Sequence, residues 1–134
     1  MKTLILSLII FLNIGCNKTD ENSSTQSVSP ILGQWKVIKY EPGFSPTAYY
    51  SGEEIKWTFN TDNTVSVAII SGTTTNPTMP LNTTGTFPYV INTTNSITIN
   101  NVIYYYSITG NELIVRTEID VSADGKKLTF VKIQ

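Results

Sequence analysis

The sequence predicts an all-β protein, an eight-stranded antiparallel up-and-down barrel. From residue 31 onward, apolar and polar residues alternate persistently, which is the period of a strand with one buried face. Thr, Ser and Asn separate the apolar positions and only 14% of residues are charged, a composition that suits half-exposed antiparallel strands. Turn residues separate the alternating segments, as at residues 109–111 (Thr-Gly-Asn) and 123–125 (Ala-Asp-Gly), and these are typical of hairpins.

Residues 1–15 have the layout of a secretory signal peptide. Lys2 supplies a short positive region, residues 4–12 form an apolar run too short to span a membrane, and Gly15 precedes Cys16. The end of this segment resembles a bacterial lipobox, with Asn13 at the position where lipoboxes usually carry Leu. The resemblance implies that Cys16 is acylated with palmitate or a similar chain and becomes the first residue of a lipoprotein. An ordinary cleaved signal with an incidental cysteine is the alternative.

Residues 16–29 are predicted to be the lipidated cysteine and a flexible tether. The segment after Cys16 is too polar to bury a core, and random-coil scaling gives it an average span of about 20 Å. Residues 18–21 (Lys-Thr-Asp-Glu) resemble the lysine-plus-acidic signal that sends some lipoproteins of Bacteroidota to the cell surface. The alternative is that this charge run merely stays solvated.

Residues 30–134 are predicted to form one domain, which is enough chain for a single core of ordinary size. Pro88 falls inside a predicted strand and implies an edge, a bulge or a barrel corner. An immunoglobulin-like sandwich is the alternative fold, but the regular hairpin spacing gives little sign of the crossover it needs. The predicted strands are residues 31–40, 54–60, 65–70, 86–92, 96–100, 102–108, 112–120 and 127–133.

The alternation also predicts which side chains face the barrel interior. In the first strand, Trp35, Val37 and Lys39 fall on one face, and Ile38 and Tyr40 fall on the other. The remaining strands place mostly polar residues on the outer face. Their predicted inward set is Ile55, Trp57, Phe59, Val65, Val67, Ile69, Phe87, Tyr89, Ile91, Ile97, Ile99, Tyr104, Tyr106, Leu113, Val115, Leu128 and Phe130.

Composition argues against several classes of function. A net charge of −1 and a pI near 5.3 argue against nucleic acid as a partner, because phosphate binding needs a basic surface. The chain has no histidine and one cysteine, so Ser-His-Asp and Cys-His catalysis and histidine-ligated metals are excluded. We therefore expect no enzyme activity, no metal and no cofactor.

The acidic residues leave two weaker alternatives. Paired carboxylates at Glu53-Glu54 or Glu118/Asp120 would suit glycoside hydrolysis, although a site needs convergent groups in a cleft. Asp62, Asn63 and Asp124 would suit calcium, but residues of this type in short turns usually cap the backbone, and we interpret them as turn residues.

The aromatic residues are the remaining candidates for a functional site. Their simplest interpretation is a filled core, since an eight-stranded barrel can be plugged by its own side chains. The alternative is a ligand cup, because inward tyrosine hydroxyls need partners. Such a cup would open between the two long connections, residues 41–53 and 71–85, which strand counting places at the same end. The candidate ligand-binding residues are Trp57, Phe59, Tyr89, Tyr104 and Tyr106.

The Gly33-Gln34-Trp35 motif at the start of the first strand resembles the opening of lipocalins and of small bacterial lipocalin-like lipoproteins. Lipocalins usually pack an arginine near the last strand over this tryptophan. Here the only arginine, Arg116, lies one strand earlier, and Lys132 occupies the last strand.

The resemblance implies a monomeric lipoprotein, anchored by its lipid in the cell envelope, in the outer membrane of a Gram-negative bacterium. Its barrel would bind or carry a small hydrophobic ligand, with a fatty acid or similar amphiphile as the natural candidate. The alternative function is an anchored interaction module with a solid core, whose loops contact protein or glycan. Tyr49 and Tyr50 in the first long connection favour this alternative, because exposed loop aromatics often mark recognition surfaces.

Overall fold

A computed structural model describes residues 29–118 and 124–134 of the chain. The predicted signal peptide, Cys16 and nearly all of the predicted tether lie outside the described residues, as does Asp120. Within the described ranges all regular secondary structure is β. No helix there is long and apolar enough to cross a membrane.

Nine strands form one sheet in the described residues. The predicted strand positions are confirmed to within a few residues, and one very short strand, β2, is additional. The strands are β1 (Gly33–Glu41), β2 (Ala48–Tyr49), β3 (Ile55–Phe59), β4 (Thr64–Ile69), β5 (Gly85–Thr93), β6 (Ser96–Ile99), β7 (Val102–Thr109), β8 (Glu112–Arg116) and β9 (Lys127–Lys132).

The sheet closes on itself. From β3 to β9, each strand pairs antiparallel with the next, and β1 pairs with β3 on one side and with β9 on the other. The seam between β1 and β9 runs from Trp35 opposite Lys132 to Glu41 opposite Lys127. This confirms the eight-stranded up-and-down barrel, consistent with a lipocalin-like fold, and excludes the two-sheet sandwich.

The two-residue strand β2 pairs with β1 beyond the point where β3 ends, on the same side of β1 as β3. Tyr49 lies opposite Lys39, and the Tyr50 N–H donates to the Ile38 carbonyl oxygen at 3.0 Å. The predicted long connection of residues 41–53 is therefore wrong in its bounds, because pairing with β1 orders its second half. The free part of the connection is residues 42–47, and Gly43 (φ +81°) brings its backbone against that of Asp124.

A β-bulge in β1 changes which side chains are buried. The pairing of β1 with β9 shifts between Val37 and Lys39, and a bulge places an extra residue on one strand. Tyr40 is consequently fully buried, as are Trp35 and Val37. The predictions that Tyr40 faces outward and that Lys39 shares the face of Trp35 are therefore wrong from the bulge onward.

The predicted inward set forms most of the core. Thirteen of its residues are buried, and Ile69, Phe87 and Tyr106 are partly buried against them. Ile91 is 38% exposed, so its predicted burial is wrong. Ile91 lies opposite the buried Ile97, and the pairing of β5 with β6 shifts only after it, between Ile91 and Thr93, near the end of β5.

Pro88 lies inside β5 opposite Thr64, and neither edge of β5 is free in the closed barrel. Its carbonyl oxygen accepts from the Asn100 N–H at 2.9 Å. Asn100 is the first residue after β6, so Pro88 faces the neighbouring strand where that strand ends. The proline thus removes a single hydrogen bond at the limit of the ladder.

The alternation of strand direction gives the barrel two distinct ends. One end, here called the terminal end, holds the start of β1, the end of β9 and the turns at residues 60–63, 94–95 and 110–111. The other, here called the rim end, holds the connections at residues 42–47, 70–84 and 100–101, together with residues 117–118 after β8 and 124–126 before β9. The described chain thus enters and leaves at the terminal end.

Trp35 closes the terminal end. Its side chain is fully buried, and its Nε1–H donates to the Ile31 carbonyl oxygen at 2.7 Å. Lys132 Nζ lies 5.1 Å from the centroid of the Trp35 ring, within the range of a cation–π contact. Gly33 adopts φ +108°, a conformation that L side chains rarely reach, so the glycine is needed here for its backbone angle.

Residues 70–84, here called the rim strap, fold across the rim end. Met79 is 3% exposed and belongs to the core. The Tyr40 and Thr78 hydroxyls share a hydrogen bond at 2.9 Å, and the Asn76 side chain caps the turn that presents Thr78. The rim strap therefore covers the end of the barrel where a ligand cup was expected to open.

Candidate functional site

Four of the five predicted ligand-binding residues lie in the packed interior. Trp57, Phe59, Tyr89 and Tyr104 are each at most 6% exposed, and Tyr106 is partly buried against the same core. The structure brings three of them into one row, with ring centroids 6.3 Å apart for Trp57 and Phe59 and 5.4 Å apart for Phe59 and Tyr89. These contacts are those of aromatic side chains packed against each other.

Phe130 fills the other side of this row. Its ring centroid lies 4.9 Å from that of Trp57, at an interplanar angle of 58°. Around Trp57, the barrel is thus occupied by its own rings, as the filled-core interpretation predicts.

The inward tyrosines are neutral at physiological pH. Burial raises the pKa of Tyr89, Tyr104 and Tyr106 above the ordinary tyrosine value, and for Tyr89 the charge of Asp62 raises it further. The Tyr89 hydroxyl donates to the Asn60 carbonyl oxygen at 3.1 Å. This inward hydroxyl therefore finds its partner in the backbone of the turn after β3.

One polar atom in the core lacks a partner among the described residues. Trp57 Nε1 is buried and makes no hydrogen bond, although the side chain is fully enclosed. A buried donor without an acceptor destabilises the folded state by roughly 1–3 kcal/mol. It is therefore the position in the interior where an additional acceptor would be most favourable.

A groove lies at the rim end, between β2 and the rim strap. Its volume is about 430 Å³, within the usual size range of small-molecule sites. The prediction that the two long connections share one end of the barrel is confirmed, and the groove lies where they meet. Its lining residues are Tyr49, Tyr50, Glu54, Ser71, Gly72, Thr73 and Thr74.

The two adjacent tyrosines of the groove play different structural parts. Tyr49 is 76% exposed, whereas Tyr50 is 8% exposed and its hydroxyl lies 4.0 Å from Met79 Sδ. The expectation that both are exposed is wrong for Tyr50, because successive side chains of a strand point to opposite faces. Burial raises the pKa of Tyr50, and the neighbouring Tyr40 and Glu54 raise it further.

Glu54 supplies the only formal charge among the residues that line the groove. Its Oε2 accepts from the Gly52 N–H at 2.9 Å and its Oε1 from the Ser51 hydroxyl at 3.4 Å. The Gly52 hydrogen bond holds the pKa of Glu54 below its ordinary value, so the carboxylate is ionised at neutral pH. The Ile70 N–H donates to the Glu54 carbonyl oxygen at 2.9 Å, which joins β3 to the start of the rim strap.

The other acidic candidates are placed apart from this groove or serve the fold. Glu53 Oε2 forms an ion pair with Lys56 Nζ at 3.5 Å and does not line the groove. Asp62 Oδ1 accepts from the Thr64 N–H and hydroxyl at 3.1 and 2.6 Å, as expected of a turn residue. In the part of the chain that the structure describes, no three acidic or metal-ligating side chains cluster as a metal site would require.

Sequence reasoning missed two features of this site. The sequence pattern predicts no role for Glu54 beyond half of a carboxylate pair, and it gives no sign that Met79 is buried. Tyr49 and Glu54 both lie near the start of a predicted strand, next to a long connection. This shared position is the signal that could have indicated that they lie close together. No protein-family model matches the chain, and no curated protein is significantly similar to it.

Proposed function

We propose that the chain is a lipid-anchored envelope protein whose barrel displays the rim groove away from the membrane. The observation that supports this proposal is the polarity of the barrel: the described chain begins at the terminal end, and the groove lies at the rim end. A tether that leads from Ser29 back to an acylated Cys16 would hold the terminal end nearer to the lipid. The filled interior favours binding at the rim over binding within the barrel.

The proposed location of the protein rests on its predicted signal peptide. A signal peptide that ends in a lipobox-like Gly15-Cys16 would deliver the protein to the envelope, in the outer membrane of a Gram-negative bacterium. A tether of about 20 Å would keep the domain clear of the headgroups. The proposed role is binding, with no catalytic step.

Orientation on a membrane tests the proposal. The full acylated chain would carry one added thiol, Thr74→Cys at the groove or Asn111→Cys in a turn of the terminal end, labelled with a maleimide fluorophore. In vesicles that contain a lipid-borne quencher, we expect the label at 111 to be quenched more than the label at 74. Equal quenching, or the reverse order, would contradict the proposed display.

The anchor itself is tested by Cys16→Ser. We expect this variant to leave the membrane fraction or to accumulate unprocessed, because the thiol that is acylated is lost. A mature variant that still sediments with membranes would show that Cys16 is not the anchor.

A second candidate function is binding of a fatty acid or similar amphiphile inside the barrel, and the unpartnered Trp57 Nε1 favours it. A ligand oxygen would supply the missing acceptor, and the rim strap would have to move to admit the acyl chain, because the strap's own Met79 is buried in the core. A fluorescent fatty acid titrated into wild type and a folded Tyr104→Ala/Tyr106→Ala variant tests this role. Saturable binding lost in the variant supports it, and no binding to either protein would contradict it.

A further inference from the structure

We propose that the rim groove binds a neutral carbohydrate, with a pyranose ring stacked on Tyr49 and sugar hydroxyls donating to Glu54. This inference rests on the groove of the proposed function and names the class of its ligand. It does not depend on the lipid anchor.

Tyr49 provides the stacking platform. Tyr49 is 76% exposed, yet its backbone is held against β1 by pairing with Lys39 and by the hydrogen bond from the Tyr50 N–H to the Ile38 carbonyl oxygen. The buried Tyr50 side chain anchors the same segment from beneath. An aromatic face carries partial negative charge, and the axial C–H groups of a pyranose present a complementary, weakly positive and apolar face.

Glu54 provides the polar contact. Its two hydrogen bonds with Gly52 and Ser51 hold the carboxylate in place and use one acceptor position on each oxygen. Besides the Gly52 N–H, the backbone N–H groups of Glu54 and Ser51 also lower the pKa of this carboxylate, and a sugar hydroxyl would use acceptor capacity that remains, since an ionised carboxylate can accept about four hydrogen bonds. Hydrogen bonds to charged acceptors are shorter and stronger than neutral ones.

The rest of the lining suits a polyhydroxyl ligand. Ser71, Thr73 and Thr74 also line the groove, and each hydroxyl can donate one hydrogen bond and accept others. Such groups match the mixed donors and acceptors of a sugar. They do not offer the continuous apolar wall that an acyl chain would need.

The charge of the groove selects against anionic ligands. Among the described residues that line it, Glu54 is charged and none is Lys or Arg. A phosphate, a uronic acid or a fatty-acid carboxylate would meet a like charge with no cation to offset it, which disfavours binding. A neutral saccharide is not penalised in this way.

The test is binding of saccharides to the full chain in a zwitterionic detergent without a sugar headgroup. The panel contains neutral tetrasaccharides of glucose (β-1,4 and α-1,4), xylose, mannose and N-acetylglucosamine, with tetragalacturonate as the anionic comparison. We expect at least one neutral tetrasaccharide to bind saturably by calorimetry or ligand-observed NMR, and tetragalacturonate to bind at least tenfold more weakly.

Four variants identify the contacts. Tyr49→Ala should weaken binding at least tenfold, Tyr49→Phe should stay within about threefold because the ring is kept, and Glu54→Gln should weaken binding severalfold. Phe44→Ala is the matched control, because Phe44 is 83% exposed in the neighbouring connection and does not line the groove. Its binding should be unchanged.

The inference is overturned if no neutral tetrasaccharide binds, if tetragalacturonate binds as well as the neutral sugars, or if Phe44→Ala loses as much affinity as Tyr49→Ala. Failure of the display proposal is distinguishable, because the vesicle labels report orientation without any sugar. A groove that faces the lipid while still binding saccharide in detergent would refute the display and leave the ligand class standing.

Discussion

Replacing Trp35 tests how the terminal end of the barrel is held together. The side chain is fully buried, donates a 2.7 Å hydrogen bond to Ile31, and lies under Lys132. Trp35→Ala removes the whole ring, and large-to-small changes of this kind lower the free energy of unfolding by about 3–5 kcal/mol. Small domains have only about 5–15 kcal/mol in total, so the variant should be close to unfolding.

A second substitution at the same position separates packing from hydrogen bonding. Trp35→Phe keeps most of the apolar volume but leaves the Ile31 carbonyl oxygen without its donor, which should lower stability by about 1–3 kcal/mol. Loss of the cation–π contact between Lys132 and the indole ring should lower stability by about a further 0.5–1 kcal/mol. We therefore expect Trp35→Phe to lie between wild type and Trp35→Ala.

The assay is urea unfolding followed by far-UV circular dichroism and by tryptophan fluorescence, which comes from Trp57 alone in the Trp35 variants. With a urea m-value of about 1–3 kcal/mol/M, Trp35→Ala should lower the midpoint by at least about 1 M. Gln34→Ala is the control, because Gln34 is exposed on the adjacent position and should change stability by less than about 0.5 kcal/mol. An unchanged midpoint for Trp35→Ala would refute the assignment of Trp35 as the plug of the terminal end.

Two further predictions concern polar groups. Burial raises the pKa of Glu41, but the ammonium groups of Lys127 and Lys39, 2.7 and 3.1 Å from its Oε2, lower it by more, for a net decrease. Its stabilisation is therefore present above the unfolded-state pKa and lost as the pH falls. Glu41→Gln should lower stability by up to about 1 kcal/mol at neutral pH and by nothing at about pH 2; a difference that persists in acid would contradict this. Trp57→Phe should destabilise the barrel by at least about 1 kcal/mol less than Trp35→Phe in the same urea assay, because it removes a donor that has no partner. The opposite order would show that Trp57 Nε1 is satisfied.

The barrel was predictable because its pattern is local and repeated. Each hairpin has its own turn residues, and the alternation of apolar and polar residues in each strand indicates which face is buried. The burial of Tyr40 was not predictable, because a bulge inserts one residue without changing the composition of the strand. The exposure of Ile91 was not predictable for a different reason: it lies opposite the buried Ile97 but near the end of β5, where alternation does not show how far the core extends.

The sequence predicts at which end of the barrel the groove lies, but not which side chains line it. Strand counting puts residues 42–47 and 70–84 at one end, whatever their conformation. The rim strap has no periodicity, so nothing in its sequence shows that Met79 turns inward while Thr73 and Thr74 line a groove. Likewise, Tyr49 and Tyr50 differ in exposure only because a two-residue strand fixes their alternation.

The seam between β1 and β9 has a consequence for how the barrel folds. The first strand of the barrel hydrogen-bonds to the last, so closure requires the most distant parts of the domain to meet. Such non-local pairing is slow, and it cannot begin before the C-terminal strand is available. An exported chain that crosses a membrane with its N-terminus leading would remain open until β9 emerges. The pairing of β9 with β1 would thus be the step that closes the barrel.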